Sequence, residues 1–289
     1  MPANPETSQF HEVSPGRSIH YTDHPASTAQ CGTAVFIHGS GPGASGWSNF
    51  KHNVSAFQDG GYRCIVFDQW GYGKTSKPQD VDHTLDFFVD GLVSLLDHVG
   101  IDSATLVGNS LGGAVALGLT LRHPDRVQKL ILMAPGGIES REDYFSMPGI
   151  QAMVKYPMGS PEFTKSVLAE LLTQLVYDPA NVDQELVDER WATLETQNAH
   201  VLATMQIPDL TDRLSEIDTT TLVFWGTEDR FCPASGTWKV LGMKGTVQAE
   251  LVNHCGHWVM SEYPALFKER CLSFLANYRG ERHHEPIQG

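Results

Sequence analysis

The chain has 289 residues, 41% of them hydrophobic, and a formal net charge of −14. That length suits one large α/β domain with room for an insertion, and the acidic balance argues against nucleic acid or an anionic membrane as partner. Cys31, Cys64, Cys232, Cys255 and Cys271 are scattered without C-x-x-C spacing, which fits reduced thiols rather than zinc or a disulfide framework.

In chain order, two short strands are expected near Phe10–Val13 and Ser18–Thr22, and a buried one at Ala34–Ile37. The run HGSGPGASGW follows, too rich in glycine and proline for a helix or strand interior. A helix from Ser48 to Phe57 comes next, then a strand at Cys64–Phe67 and a second glycine turn at Gly71–Gly73. Leu85–His98 carries apolar residues at helical spacing. After the stretch ATLVGNSLGGAVAL, Leu130–Met133 reads as another buried strand. From Pro135 to about Leu214 no buried strand is expected, and helices fit Glu162–Tyr177 and Val182–Met205. Strands resume at Thr221–Trp225 and Val247–Val252, before a last helix at about Pro264–Tyr278. No basic and apolar leader is visible in MPANPETSQFHEV, and no apolar run reaches membrane-spanning length, so a cytoplasmic location is expected. The tail ERHHEPIQG is polar and is expected to fray, with its histidines in solvent. The expected organisation is a core in two parts, 1–134 and 216–289, with a helical cap at 135–215 inserted between them.

The chemistry centres on Ala104–Leu117, where Gly108-Asn-Ser110-Leu-Gly112 joins an apolar strand to a small-residue helix. This is the context of a nucleophile elbow, in which a serine sits on a sharp turn among small neighbours such as Gly113 and Ala114. A serine nucleophile needs a base and an orienting carboxylate. His257, after the last strand and next to Gly256, is the expected base; His254 lies nearer the strand end and reads as structural. Asp229, after the strand Thr221–Trp225, is the expected acid, with Glu228 as the runner-up. The order Ser110, Asp229, His257 is that of the α/β-hydrolases. The expected fold is therefore the α/β-hydrolase fold: a mostly parallel sheet with helices on both faces and an inserted cap. An oxyanion hole would take one N–H from Leu111 and one from the HGSGPG loop, at Ser40 with Gly39 or Gly41 as alternatives. Phosphate binding is the rival reading of that loop, but it lacks the P-loop lysine. Arg190 shares a helix face with Leu186 and Leu194, so it either snorkels to solvent or points into a pocket.

Taken together, HGSGPGASGWSNF, GNSLGG, the ERW of the cap helix, GTEDRF and CGHW resemble the meta-cleavage product hydrolases, from about Ala34 to the last helix. The resemblance implies hydrolysis of a carbon–carbon bond in a 2-hydroxy-6-oxo-hexa-2,4-dienoate, from aromatic or steroid ring degradation, without a cofactor or metal. It implies that Arg190 binds the substrate carboxylate, that Asn49, Asn109 and Trp258 complete the polar contacts, and that Phe231 lines the apolar side. It also implies a homodimer or larger homo-oligomer. Ser40 stands where many members carry glycine, Leu111 replaces a methionine of some members, and the stretch from Arg190 to Asp229 is short for the family. Small and flexible cap residues such as Ala152, Met153, Met158 and Gly159 favour a bulky distal group. The rivals are a carboxylesterase with the same triad and a non-catalytic module that binds a small ligand. A dehalogenase or epoxide hydrolase would want aspartate at position 110.

Overall fold

The computed structural model describes residues 8–278, and the tail ERHHEPIQG lies outside that range. The strands are β1 (Ser8–Ser14), β2 (Arg17–His24), β3 (Gly32–Ile37), β4 (Tyr62–Phe67), β5 (Ala104–Asn109), β6 (Val127–Met133), β7 (Thr221–Gly226) and β8 (Val247–Val252). They form one sheet in the order β1-β2-β4-β3-β5-β6-β7-β8. β2 pairs antiparallel with both β1 and β4, and all other pairs are parallel. The central strands are short apolar runs, with Val35, Phe36, Ile37, Leu106 and Val107 fully buried. Such runs are satisfied only where helices cover both faces of the sheet.

The helices are α1 (Gly46–Phe50), α2 (Val54–Asp59), α3 (Leu85–His98), α4 (Leu111–Arg122), α5 (Arg141–Ser146), α6 (Pro148–Lys155), α7 (Lys165–Thr173), α8 (Gln184–Leu194), α9 (His200–Thr204), α10 (Gly236–Val240), α11 (Val259–Glu262) and α12 (Pro264–Asn277). Helices α3 and α4 close a core on one face with Leu92, Leu106, Val115 and Trp225. Helices α2 and α12 close the other with Phe36, Phe57, Phe224 and Phe267, and α7 and α8 pack onto that side. Helix α3 shows why the pattern is so readable: Thr84 caps it by accepting from Phe87 N–H, and Phe88, Val89, Leu92, Leu95 and Leu96 fall on its buried side.

Two expected helices are broken, each by a side-chain amide that bonds elsewhere. Ser48–Phe57 splits into α1 and α2 around Asn53, whose Nδ2 donates to Met260 O at 3.1 Å. Val182–Met205 splits into α8 and α9. There Gln197 accepts from Gly43 N–H at 2.8 Å and Asn198 donates to Lys77 O at 3.2 Å. The helix expected over Glu162–Tyr177 starts later, at Lys165, because Thr164 caps it through Val167 N–H. Between β6 and β7 the described residues contain no strand of the sheet, only a single bridge from Gln206 to Thr84. No helix among the described residues is long and apolar enough to cross a membrane.

Strand β4 lies on one side of β3 and β5 on the other. The strand order reverses between them, and an open α/β sheet takes its ligand in the crevice beyond that reversal. The glycine-rich loop leaves β3 at this point, and Ser110 leaves β5 beside it.

Candidate active site

Ser110 joins β5 to α4 with φ 53° and ψ −117°. A residue with a side chain holds such a backbone only where its surroundings over-determine it. Here Ser110 N–H donates to Met133 O at 3.0 Å, and Ser110 O accepts from Gly136 at 2.9 Å and Ala114 at 3.1 Å. The serine lines a cavity together with Gly39, Ser40, Gly41 and His257.

His257 and Asp229 meet in this crevice. Nδ1 of the histidine lies 2.7 Å from Asp229 Oδ2, and the two side chains are 3% and 0% exposed. A carboxylate only accepts, so Nδ1 carries a proton, and in the neutral ring Nε2 is then the acceptor. The other carboxylate oxygen accepts from Phe231 N–H at 2.7 Å and Cys232 N–H at 3.0 Å. Glu228 faces elsewhere: its Oε2 accepts from Thr227 Oγ1 at 2.6 Å and from Cys255 N–H at 3.1 Å. Hydrogen bonding by Thr227 holds that carboxyl below the ordinary glutamate value. His254 is exposed, with its ring 5.1 Å from that of Tyr177.

The loop after β3 closes over the serine, because a side chain at Gly39 would come within 3.2 Å of Ser110 Cβ. Neither Ser40 N–H nor Leu111 N–H has an acceptor among the described residues, so both remain available to an incoming oxygen. His38 braces the loop from beneath. Its Nδ1–H donates to Gly39 O at 2.6 Å, its Nε2 accepts from Gln69 N–H at 3.0 Å, and burial pushes its pKa down to about 4.

Arg190 comes in from α8. The residue is 2% exposed and lines the cavity. Its Nη2 donates to Asn49 Oδ1 at 3.1 Å, and its guanidinium carbon lies 5.1 Å from the centre of the Trp258 ring. Its Nε has no hydrogen-bond partner, and no carboxylate among the described residues lies within 4.0 Å. Burial lowers its pKa to about 10, which leaves it a cation at neutral pH. The helix is pinned around it: Lys51 bonds Glu189 at 2.6 Å, and a Cβ on Gly43, at φ +67°, would stand 2.0 Å from Arg190 O. Of the two readings open for Arg190, the snorkelling one is therefore excluded.

A chain of amides runs on from the arginine. Asn49 Nδ2 donates to Asn109 Oδ1 at 3.1 Å, and Asn109 Nδ2 donates to Met133 O at 3.2 Å and His257 O at 3.5 Å. Asn109 lines the cavity with both ends of its amide already bonded inside the protein. Trp258 and Phe231 line the cavity as well, and the Phe231 ring sits 5.2 Å from that of His257. The sequence reading missed Tyr144, Ile150 and a stripe of leucines on the wall, Leu168, Leu171, Leu172 and Leu175. Their spacing of three, four and seven marks one helix face and could have signalled them. Among the described residues no group of three or more His, Cys, Asp or Glu could hold a metal ion.

Residues 34–270 match the model of the Alpha/beta hydrolase family. The chain is 33% identical to the 2-hydroxy-6-oxo-6-phenylhexa-2,4-dienoate hydrolase of Burkholderia cepacia, over 94% of this chain and 97% of that one. It is 32% identical to a 2-hydroxy-6-oxononadienedioate/2-hydroxy-6-oxononatrienedioate hydrolase of Comamonas testosteroni, with the same 94% and 97% coverage. Among solved structures it is similar to the meta-cleavage product hydrolase of Pseudomonas fluorescens IP01, with a TM-score of 0.81, 25% identity and coverage of 95% and 99% of the two chains. The likeness runs through both the sheet and the helical connection between β6 and β7, and on that footing the chain belongs to the meta-cleavage product hydrolases of the alpha/beta hydrolase family.

Proposed function

We propose that the protein hydrolyses the C–C bond of a 2-hydroxy-6-oxo-hexa-2,4-dienoate through Ser110, His257 and Asp229. One observation carries this reading beyond ester hydrolysis: the buried, carboxylate-free Arg190 lines the same cavity as Ser110 and His257. A buried cation without a counter-charge is costly, and an anionic ligand supplies the missing partner. The carboxylate of the dienoate docks on Arg190, with Trp258 beneath the guanidinium and Asn49 fixing its plane.

The chemistry then runs along the cavity. The dienol gives up its 2-hydroxyl proton and takes one at C5, becoming the 2-oxo-3-ene ketone, so that the later carbanion is conjugated. His257 Nε2 accepts the Ser110 proton as Oγ bonds to C6, and the C6 oxygen becomes an anion received by the N–H groups of Ser40 and Leu111. Collapse restores the C6 carbonyl and breaks C5–C6. The electron pair leaves as the dienolate, which regains a proton to give 2-hydroxypenta-2,4-dienoate. Water, deprotonated by His257, cleaves the acyl-serine to the carboxylic acid. No step calls for a cofactor.

Residues 135–215 act as the cap, and 1–134 with 216–289 as the core. The distal group is apolar. Ile150, Met153, Leu168, Leu171, Leu172 and Phe231 line the cavity, and Arg190 is its only Lys or Arg among the described residues. That favours a phenyl-type substituent, as in the name of the Burkholderia cepacia relative, over the second carboxylate of the nonadienedioates. The reading includes a cytoplasmic enzyme that works as a homodimer or larger assembly. The test is loss of the yellow dienolate colour. Wild type should bleach the phenyl dienoate and Ser110→Ala should not. Turnover of p-nitrophenyl esters without any bleaching would make the protein a carboxylesterase. Unchanged activity in Ser110→Ala would leave a module whose serine is not a nucleophile.

A further inference from the structure

The base is held by more than its aspartate. His257 N–H donates to Leu175 O at 2.8 Å, so its main chain is bonded directly to the segment that follows α7. The residue before it packs on the same segment, since a Cβ on Gly256 would stand 2.8 Å from Leu175 O. Glu262, at the end of α11, joins the two sides. Its Oε1 accepts from Gly256 N–H at 2.7 Å and from Cys255 Sγ at 3.6 Å, and its Oε2 accepts from Tyr177 N–H at 2.8 Å. Leu175 in turn lines the cavity, and its neighbour Val176 is 2% exposed.

We propose that Glu262 is a positioning residue: its single carboxylate clasps the main chain of the base's loop to the segment that follows α7, so that His257 keeps its place only while that segment is seated. The proposal rests on His257 being the base. The partners of Glu262, which also include the Asp178 backbone N–H, are all donors, so only a carboxylate, which accepts at both oxygens, satisfies them. Burial raises the carboxyl's pKa, and the donations from Gly256, Tyr177 and Cys255 oppose that rise. A ligand group that presses on Leu175 acts on the peptide bonded to His257 N–H. The clasp thereby links occupancy of the distal side to the geometry of the base.

Glu262→Gln is the discriminating variant, because its amide must turn an NH₂ group toward one of the N–H donors and lose that arm. Expected is a fall in kcat of about tenfold for both the dienoate and a neutral ester, with KM within about twofold. The far-downfield proton resonance of His257 Nδ1–H should also shift or broaden, while the unfolding midpoint stays near that of wild type. Unchanged kcat and resonance would overturn the proposal. So would a fall in kcat with an unchanged resonance and a lowered unfolding midpoint, which marks a purely structural role. If Glu262→Gln does not fold, Glu262→Asp, which keeps the charge but shortens the reach, is read in the same way. Ser110→Ala separates the two claims. Inactive Ser110→Ala beside wild-type Glu262→Gln removes the clasp alone, whereas active Ser110→Ala removes the reading beneath it.

Discussion

Replacing Arg190 with methionine should damage activity while sparing the fold, and the structure allows both effects to be sized. A charge-assisted hydrogen bond to the substrate carboxylate contributes about 1.5–3 kcal/mol, so Arg190→Met should lower kcat/KM for the dienoate by about 10- to 150-fold. Stability should move the other way or hardly at all. Burial, which lowers the arginine pKa to about 10, costs its charged form on the order of 3 kcal/mol. Methionine removes that penalty and fills similar space. It gives up the bond to Asn49 and the contact with Trp258, together about 1–2 kcal/mol. The balance is a change of about +1 kcal/mol, read as an unchanged or raised urea midpoint. The assay pairs dienoate bleaching with hydrolysis of a neutral ester that has no carboxylate to bind. Equal losses on both substrates, or a fold weakened by several kcal/mol, would refute the reasoning, since either result would make Arg190 a structural residue.

Three further outcomes follow from the same geometry. Asp229→Asn must turn its carbonyl toward the Phe231 and Cys232 amides and its NH₂ toward His257; that forces the wrong tautomer, and kcat should fall about 10⁴-fold with the fold intact. Gly43→Ala would drive a methyl group into the Arg190 carbonyl at a positive φ; urea unfolding should show a loss of about 2 kcal/mol, and KM for the dienoate should rise. Because His38 is buried neutral with a pKa of about 4, the unfolded chain binds its proton first as the pH drops. Its contribution, present above about pH 6.5, should disappear progressively toward pH 4, by about 3 kcal/mol in all. Difference measurements against His38→Gln should show that slope flattened, and parallel curves would remove His38 as its source.

How readable the site was depended on how local each signal is. Ser110 could be identified because the elbow needs its small residues within one short stretch, and the sheet topology then delivers that stretch to the strand reversal. Asp229 is the expected acid over Glu228, but what separates the two is not local. Both follow β7, and only the capture of one Asp229 oxygen by the Phe231 and Cys232 amides turns the other toward His257. The breaks in the helices at 51–53 and 195–199 were invisible for a related reason. Periodicity records which face is buried, but it is silent about an asparagine or glutamine that leaves the helix to bond Met260, Gly43 or Lys77.

Arg190 shows what this difference means for function. On the helix wheel it is one cation in an apolar stripe, a pattern that by itself points to solvent sooner than to a pocket. Its direction is decided by Asn49 on α1, Gly43 in the loop and Trp258 after β8, three elements that are far apart in sequence. Asn49 bonds Asn109 beside Ser110, Asn109 in turn reaches His257 O, Gly43 lies in the glycine-rich loop, and Trp258 follows His257 in the chain. The cation is therefore not an ornament added to a hydrolase core. It is bonded through Asn49 to the amide of Asn109, and under the proposed reading it is where a protein with a net charge of −14 receives an anion. In that reading the general field repels the substrate, and a single desolvated guanidinium, with no carboxylate within 4.0 Å among the described residues, overrides it at short range.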